Sequence, residues 1–505
     1  MTSTDTGPAA GKVELDSPQG RLVVGTTVAG SAVAMLTATV VNVALPALAQ
    51  DLDATSGQQQ WVVNGYLLTI ASLILIGGNL GDRFGRLKMY RLGTAWFAVA
   101  SLLCAIAPNV EVLIAARLLQ GIGGALLTPG SLAIIEATLR PEDRGRGVGQ
   151  WSGLSGIAGA VGPLVGGLLV DVSWRWVFVL NLPVAALVLI ASQRVPESMD
   201  PSAREERLDV IGAALTAVVL GGSAFALIQG PAGGFSLADG LVVVATAIAL
   251  VVLVVHERRQ RQPMVPLDLF SVRPFVAANV VTLLVYGGMG VVFFLLSVQL
   301  QVSLGWRAVE AGAALLPVTG LMLVLSSKAG DLAQRIGPRW PLTVGPVLIA
   351  CGMFLLAGAG PGDSYLADVL PGVVVFGLGL AASVAPVTAT ALGSIPDERS
   401  GAASGLNNAI SRTGQLLTIA AVPPLVGLTG DALGDPDQLT RGFDDAMYVG
   451  GGFVLAGAIA AAIMFRPDDQ AGDDDSTGGD ADAAEGSDCG RRFHCGVESP
   501  QLVRR

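Results

Sequence analysis

Charge is scarce in this sequence. Asp, Glu, Lys and Arg make up 14% of its 505 residues, against roughly 25% in soluble globular domains. With 52% hydrophobic residues, an ordinary water-soluble fold is excluded. Histidine is almost absent: His256 and His494 stand far apart in polar stretches, which leaves no histidine-based catalytic constellation in the apolar part of the chain. No Gly-rich phosphate-binding loop is present either, so neither an enzyme nor an ATP-driven pump is supported. Cysteine is sparse. Cys104 and Cys351 lie in apolar runs, while Cys489 and Cys495 flank His494 without zinc-type spacing; no disulfide framework, metal site or cofactor is implied. Aromatics are only 5%. Residues 1–20 lack the short apolar core and cleavage site of a signal peptide, so the first apolar run reads as an uncleaved anchor. The net charge of −10 says nothing of nucleic acid, because the segment from Arg466 to Arg505 alone carries ten acids and five arginines.

What is abundant is apolar sequence in runs of about 20 residues, the length that spans a bilayer core. Runs fall at 22–46, 61–80, 89–107, 112–135, 149–170, 176–193, 209–228, 237–256, 275–299, 311–327, 341–359, 366–391, 401–427 and 446–465. Fourteen spans place both termini on one side. Assigning alternate loops plus the termini to one face collects 25 of the 30 basic residues there, leaving Arg175, Arg307 and Arg441 opposite and Arg117 and Arg412 inside spans. Basic loops stay cytoplasmic, so the chain is expected in the cytoplasmic membrane with both termini inside. Glycine is plentiful, 66 residues, and small residues let transmembrane helices approach closely.

The chain also repeats itself. Gly78-Asn79-Leu80-Gly81-Asp82-Arg83-Phe84-Gly85-Arg86 is echoed 252 residues later by Gly330-Asp331-Leu332-Ala333-Gln334-Arg335-Ile336-Gly337-Pro338-Arg339, and Pro141-Glu142-Asp143-Arg144-Gly145 is echoed 255 residues later from Pro396. Two six-span halves of about 190 residues would give an offset near 190; the surplus matches spans 7 and 8. The expected organisation is a cytoplasmic N-terminus (1–21), a six-helix bundle (22–200), a connector carrying two inserted helices (201–273), a second six-helix bundle (274–466) and an acidic tail (467–505) too poor in apolar residues to fold alone.

These motifs resemble the major facilitator superfamily, and within it the fourteen-span drug:proton antiporters of the EmrB/QacA type. The resemblance implies an all-α polytopic fold of two six-helix bundles plus two inserted helices. Gly78, Asp82, Arg83, Gly85 and Arg86 are similar to the superfamily's loop signature between spans 2 and 3. On that resemblance they form a charge latch, with Asp82 at a neighbouring helix N-terminus; the plainer reading is that the cations only fix topology. Leu113 to Ala125 is similar to the family's span 4 motif centred on Arg117, which the resemblance assigns to proton or substrate handling, the alternative being snorkelling to the interface. Gly159, Gly162, Pro163, Gly166 and Gly167 in span 5 resemble the antiporter motif, a glycine seam with a proline kink or glycine packing alone. Trp174 and Trp176 suit the headgroup belt.

One departure stands out. The tract Leu36-Thr37-Ala38-Thr39-Val40-Val41-Asn42-Val43-Ala44-Leu45-Pro46 resembles the family's first-span motif, but Thr37 occupies the place of its acid. No other Asp or Glu lies well inside a span, whereas Arg412 lies about 16 Å into span 13. Two buried cations with no buried anion favour an anionic or zwitterionic substrate over a quaternary cation, unless Arg412 is satisfied by backbone carbonyls and by Asn407, Asn408 or Gln415. Asp82, Glu136 or the substrate itself then has to carry the proton. Further cavity candidates are Asn42, Tyr66, Gln120, Thr128, Tyr286, Phe293, Thr319, Asn407 and Gln415. The expectation is therefore an exporter of amphiphilic small molecules working by proton antiport in the lipid bilayer, with or without a periplasmic adaptor. A proton-independent facilitator or importer, and a non-transporting sensor that signals through the tail, are the rivals.

Overall fold

The structure, a computed structural model, describes residues 12–198, 208–233, 236–260, 263, 265–396 and 399–465. The expected tail, with Cys489, His494 and Cys495, and the heart of the connector at 199–207 lie outside them. The described chain is helical: α1 (Pro18–Leu52), α2 (Ser56–Phe84), α3 (Arg86–Ala105), α4 (Val110–Thr138), α5 (Pro141–Val170), α6 (Trp176–Val179), α7 (Asn181–Ser192), α8 (Val210–Gly233), α9 (Leu237–Arg259), α10 (Arg273–Val302), α11 (Ala308–Ala314), α12 (Leu316–Ile336), α13 (Arg339–Leu356), α14 (Leu370–Gly393), α15 (Ser400–Leu425) and α16 (Pro436–Met464).

Local sequence explains the boundaries. Ser17, Thr55, Asn109 and Asp435 cap α1, α2, α4 and α16 by accepting from backbone N–H groups in the first turn. Prolines sit in the first turn of α1, α5, α10, α12, α14 and α16, where no intrahelical donor is lost. Gly85 after α2 has φ +107° and Gly337 after α12 has φ +80°. They are the same position 252 residues apart, so the sequence repeat recurs as a repeated left-handed turn.

Eleven described helical stretches are long and apolar enough to cross a membrane. Three others occupy expected span positions and fall short for visible reasons. α3 opens with Arg86, Lys88 and Arg91, α15 carries Asn407, Asn408, Arg412 and Gln415, and the sixth stretch breaks at Leu180 into α6 and α7. The last helix starts ten residues earlier than its apolar run, which brings Asp444 and Asp445 inside α16.

Helices α1 to α7 pack on one another, as do α10 to α16, while α8 and α9 pair with each other and α8 touches both α2 and α15. The C-terminus of α1 meets that of α10 through Gln301 Nε2 donating to Val43 O at 3.0 Å, and the start of α2 meets the α15–α16 turn through Ser56 N donating to Gly430 O at 2.7 Å. Residues 18 and 464 therefore share one end, the terminal end, and these contacts mark the far end.

Candidate functional site

Five buried polar side chains form a chain across the first bundle. Thr37 Oγ1 donates to Asn181 Oδ1 at 3.0 Å, Asn181 Nδ2 to Ser101 Oγ at 3.2 Å, Gln120 Nε2 to the same Ser101 at 2.7 Å, and Arg117 Nη1 to Gln120 Oε1 at 2.5 Å. Arg117 also donates from Nε to Val62 O at 2.9 Å, and its guanidinium lies 4.4 Å over the Tyr66 ring. Tyr66 is held in turn by its hydroxyl on Ala34 O. Arg117 is 1% exposed, so it does not snorkel. Its charge is met by a carbonyl, an amide and a π face, with no carboxylate in the chain. Thr37 is fully buried among α1, α3 and α7. Sequence alone did not place Ser101 and Asn181 in this chain, because each is a common small polar residue until the fold brings them together.

Arg412 lies halfway along α15. Its Nε is buried without a hydrogen-bond partner, and its helix packs on α2 of the first bundle and α10 of the second. It is thus the cation at the seam, while Arg117 is locked inside one bundle. Gln415 packs beside Gly290. Asn407, one turn nearer the terminal end, donates to Asn279 Oδ1 and Thr282 Oγ1, both at 3.0 Å. Toward the far end Gln60 and Asn64, one turn apart on α2, are at most 1% exposed and their amide atoms make no protein hydrogen bond, nor does Asn42 Oδ1. Such buried amides are costly unless water or a ligand satisfies them. Gln60 and Asn64 carried no sequence signal beyond being amides inside an apolar run. Thr128 bonds back to Gly124 O of its own helix, and Phe293 stacks edge-on against Phe376 at 6.3 Å.

The span 5 motif divides its work between two neighbours. A Cβ on Gly162 would come within 2.3 Å of Thr39 Oγ1 and one on Gly166 within 2.6 Å of Val40, so these glycines, with Gly159 O accepting from Thr39, seat α5 on α1. Gly167 and Pro163 face the other bundle. A Cβ on Gly167 would lie 2.5 Å from the Val309 backbone, and one on Gly312 only 2.1 Å from Pro163 O. Together with the Asp171–Arg307 ion pair, the Gln301–Val43 and Ser56–Gly430 bonds and Leu433 N on Ser56 Oγ, this closes the far end.

At the terminal end the loop signature is organised within the first bundle. Asp82 pairs with Arg86 at 2.7 Å, Arg86 reaches Ala133 O of α4, and Arg83 lies over the Phe84 ring. Glu197, not Asp82, meets a helix start: it accepts from Leu87 N and Lys88 N at the N-terminus of α3 and fills the space beside Gly85. Gly78 lies against Pro129. Trp174 is buried, donating to Asp51, and only Trp176 is exposed.

Comparison with known proteins agrees with this architecture. The chain is 34% identical to the methylenomycin A resistance protein of Streptomyces coelicolor over 93% of its own length and 98% of that protein's. It is also 34% identical to the tetracenomycin C resistance and export protein of Streptomyces glaucescens, over 79% and 75%. Among solved structures, a POT family transporter in complex with 5-aminolevulinic acid superposes with a TM-score of 0.65 at 13% identity, covering 90% of this chain and 99% of that one. The D-xylose–proton symporter does so at 0.62 and 16%, covering 88% and 97%. A profile of the Major Facilitator Superfamily matches residues 27–419, and the chain accordingly belongs to that superfamily of membrane transporters.

Proposed function

We propose that this chain exports amphiphilic small molecules across the cytoplasmic membrane by alternating access coupled to protons, with fourteen spans arranged six plus two plus six and both termini cytoplasmic. The observation that carries this reading is on α5: the face that seals the far end through Pro163 and Gly167 meets nothing further down, at Gly145, Gly149, Gly153 and Gly156. That is one half of an access cycle, shut outside and parted inside. The relatives named for antibiotic export and resistance supply the direction of transport. The excess of basic residues in the terminal-end loops supplies the orientation.

Arg412 selects the substrate class. A cation at the seam, with an unpartnered Nε and no carboxylate near it in the Arg117 chain, attracts an anionic or zwitterionic amphiphile. Thr37 takes no proton, so the proton travels through Asp82, Glu136 or the substrate. The test is proton release from energised everted vesicles on adding cationic, zwitterionic and anionic compounds, with Thr37→Asp beside the wild type. Dequenching of a pH probe by anionic or zwitterionic compounds in the wild type is the expected result. Silence from both proteins, with substrate counterflow retained in proteoliposomes, would replace antiport by facilitated exchange. A response to cations alone in the wild type would overturn the role given to Arg412.

A further inference from the structure

The segments that lead into the two bundles are built alike. Ahead of α1, Leu15 is 1% exposed and packs on Val24, Ile135, Leu139, Val148 and Trp151. Ahead of α10, Leu269 is 2% exposed and packs on Ala278, Ala391, Ile395, Ala403 and Leu406. Each residue of the second set lies 254 to 256 positions after its counterpart in the first. A leucine thus pins each segment to the turn between the fourth and fifth spans of its own bundle. An acid beside it pairs with an arginine of that turn, Glu14 with Arg140 at 3.7 Å and Asp268 with Arg399. Exposed pairs of this kind add little, so the buried leucine is the anchor.

The segment ahead of α10 has a further attachment. Val265 N donates to Glu257 Oε2 at 3.2 Å at the end of α9. Beside it, His256 Nε2 lies 2.8 Å from Asp209 Oδ1, and the same oxygen caps α8 by accepting from Gly212 N at 2.8 Å. The side chain of Val265 belongs to two apolar clusters at once. One is the Leu269 cluster, with Ala403 and Leu406 at the start of α15; the other is Ala213 of α8 against Ile76 and Leu80 of α2. Both bundles are therefore joined at the terminal end through the inserted pair. Farther along the same seam α2 and α15 touch directly, Leu75 filling the space beside Gly405, and α8 lies on both through Ala224 and Ile228 against Trp61 and Ala420.

The opposite seam, α5 with α11 and α12, is held at the far end only. Gly167 and Gly312 make its tight contacts there, whereas a Cβ on Gly145, Gly149, Gly153 or Gly156 of α5, or on Gly320 of α12, would meet nothing within 4 Å. Parting the bundles at the terminal end would expose apolar surface shared by α2, α8, α15 and Val265 on one side. On the other side there is little left to separate.

We propose that α8, α9 and the Val265 segment form a hinge. They keep α2 on α15 at the terminal end, so the terminal side opens and closes by swinging α5 relative to α12 instead of parting both seams equally. The inference rests on the alternating-access reading for the existence of the swing and goes beyond it in giving the inserted pair the axis.

Spin labels on the full-length protein in nanodiscs read the two seams by double electron–electron resonance. One pair is Phe84→Cys with Ala402→Cys across α2–α15, the other Gln150→Cys with Lys328→Cys across α5–α12; all four positions are exposed. Cys351, Cys489 and Cys495 are replaced by serine, and Cys104 is buried. The expected result is one narrow distance across α2–α15 and a broad or two-population distribution across α5–α12. Val265→Ser removes the shared apolar contact while keeping the backbone donor to Glu257, and should add a longer population across α2–α15. Leu15→Ala loosens the matching anchor of the first bundle away from α8; it should lower thermal stability and leave that distance narrow. A wild-type α2–α15 distribution as broad as that of α5–α12, no change in Val265→Ser, or an equal broadening in Leu15→Ala would each overturn the hinge. If the distances come out as expected while everted vesicles show no export, the transport reading fails and the hinge stands.

Discussion

Replacing Gly312 by alanine tests the far-end seal at its tightest point. The new Cβ would lie 2.1 Å from Pro163 O and 2.6 Å from its carbon. Real Cβ contacts essentially never fall below 3.0 Å, so the α5 and α11 backbones must separate by about 1 Å, and neither is a flexible side-chain end. Overpacking of this kind costs about 1–3 kcal/mol. Because the contact exists only while the far end is closed, that cost falls on one access state, and the equilibrium shifts toward the far-end-open state by about 5- to 150-fold. Spin labels at Val172 and Asp437, exposed at the far end on opposite bundles, read the shift as a longer distance population in double electron–electron resonance. The control is Gly379→Ala, whose Cβ would lie 2.5 Å from Ile349 N inside the second bundle. It lowers thermal stability and leaves the distances alone. Unchanged distances in Gly312→Ala, or an equal shift in the control, would refute the assignment of this contact to the gate.

Two further outcomes follow from the polar contacts. Arg117→Met removes a buried cation whose partners are all neutral, so no orphan charge remains. The acceptors left on Gln120 and Val62 cost about 1–3 kcal/mol each, so thermal unfolding should show a clear decrease. At the terminal end, Arg399 beside Asp268 holds that carboxyl below the usual range, chiefly through their hydrogen bond. A folded-state pKa depressed in this way gives stability that is complete above the unfolded value and is lost as pH falls through the folded one. Both side chains are more than half exposed, so the contribution is under about 1 kcal/mol. Asp268→Asn should lower the unfolding temperature slightly at neutrality, where the pair's contribution is complete, and flatten the profile below about pH 4, where the wild type loses it.

The helical architecture was legible because burial in lipid writes itself into run length and loop charge, and the repeat recurs in the fold as the matching turns at Gly85 and Gly337. Boundaries were less legible. The start of α16 at Pro436 was hidden because Asp437, Arg441, Asp444 and Asp445 interrupt the apolar pattern, and only the fold shows Asp444 accepting from Gly358 N at 2.7 Å. The motifs singled out residues but could not assign their neighbours. The glycines of span 5 looked like one seam, yet three seat α5 on its own bundle and Gly167 meets the other. Arg117 and Arg412 looked alike as buried cations. Tertiary contact separates them, since one is hydrogen-bonded inside a bundle and the other lies on a helix that packs on both bundles.

The same α5 face that seals the far end is empty over its terminal half, and this dictates a substitution with the opposite sign to Gly312→Ala. Gly153→Leu adds a side chain where nothing lies within 4 Å, so the far-end-closed state accommodates it without strain. When the bundles rock to open the far end, α5 and α12 must approach over that half, and the leucine meets α12 at a position built for a hydrogen. The gain in helix propensity on replacing glycine is common to both states and cancels. What remains is about 1–3 kcal/mol against the far-end-open state, and the Val172–Asp437 distance should shorten relative to the wild type. In the double variant with Gly312→Ala, each access state carries one clash. The distance distribution should return toward that of the wild type while export falls further than in either single variant. If Gly153→Leu lengthens the far-end distance instead, then α5 and α12 do not close on each other, and the two halves of this face belong to different motions.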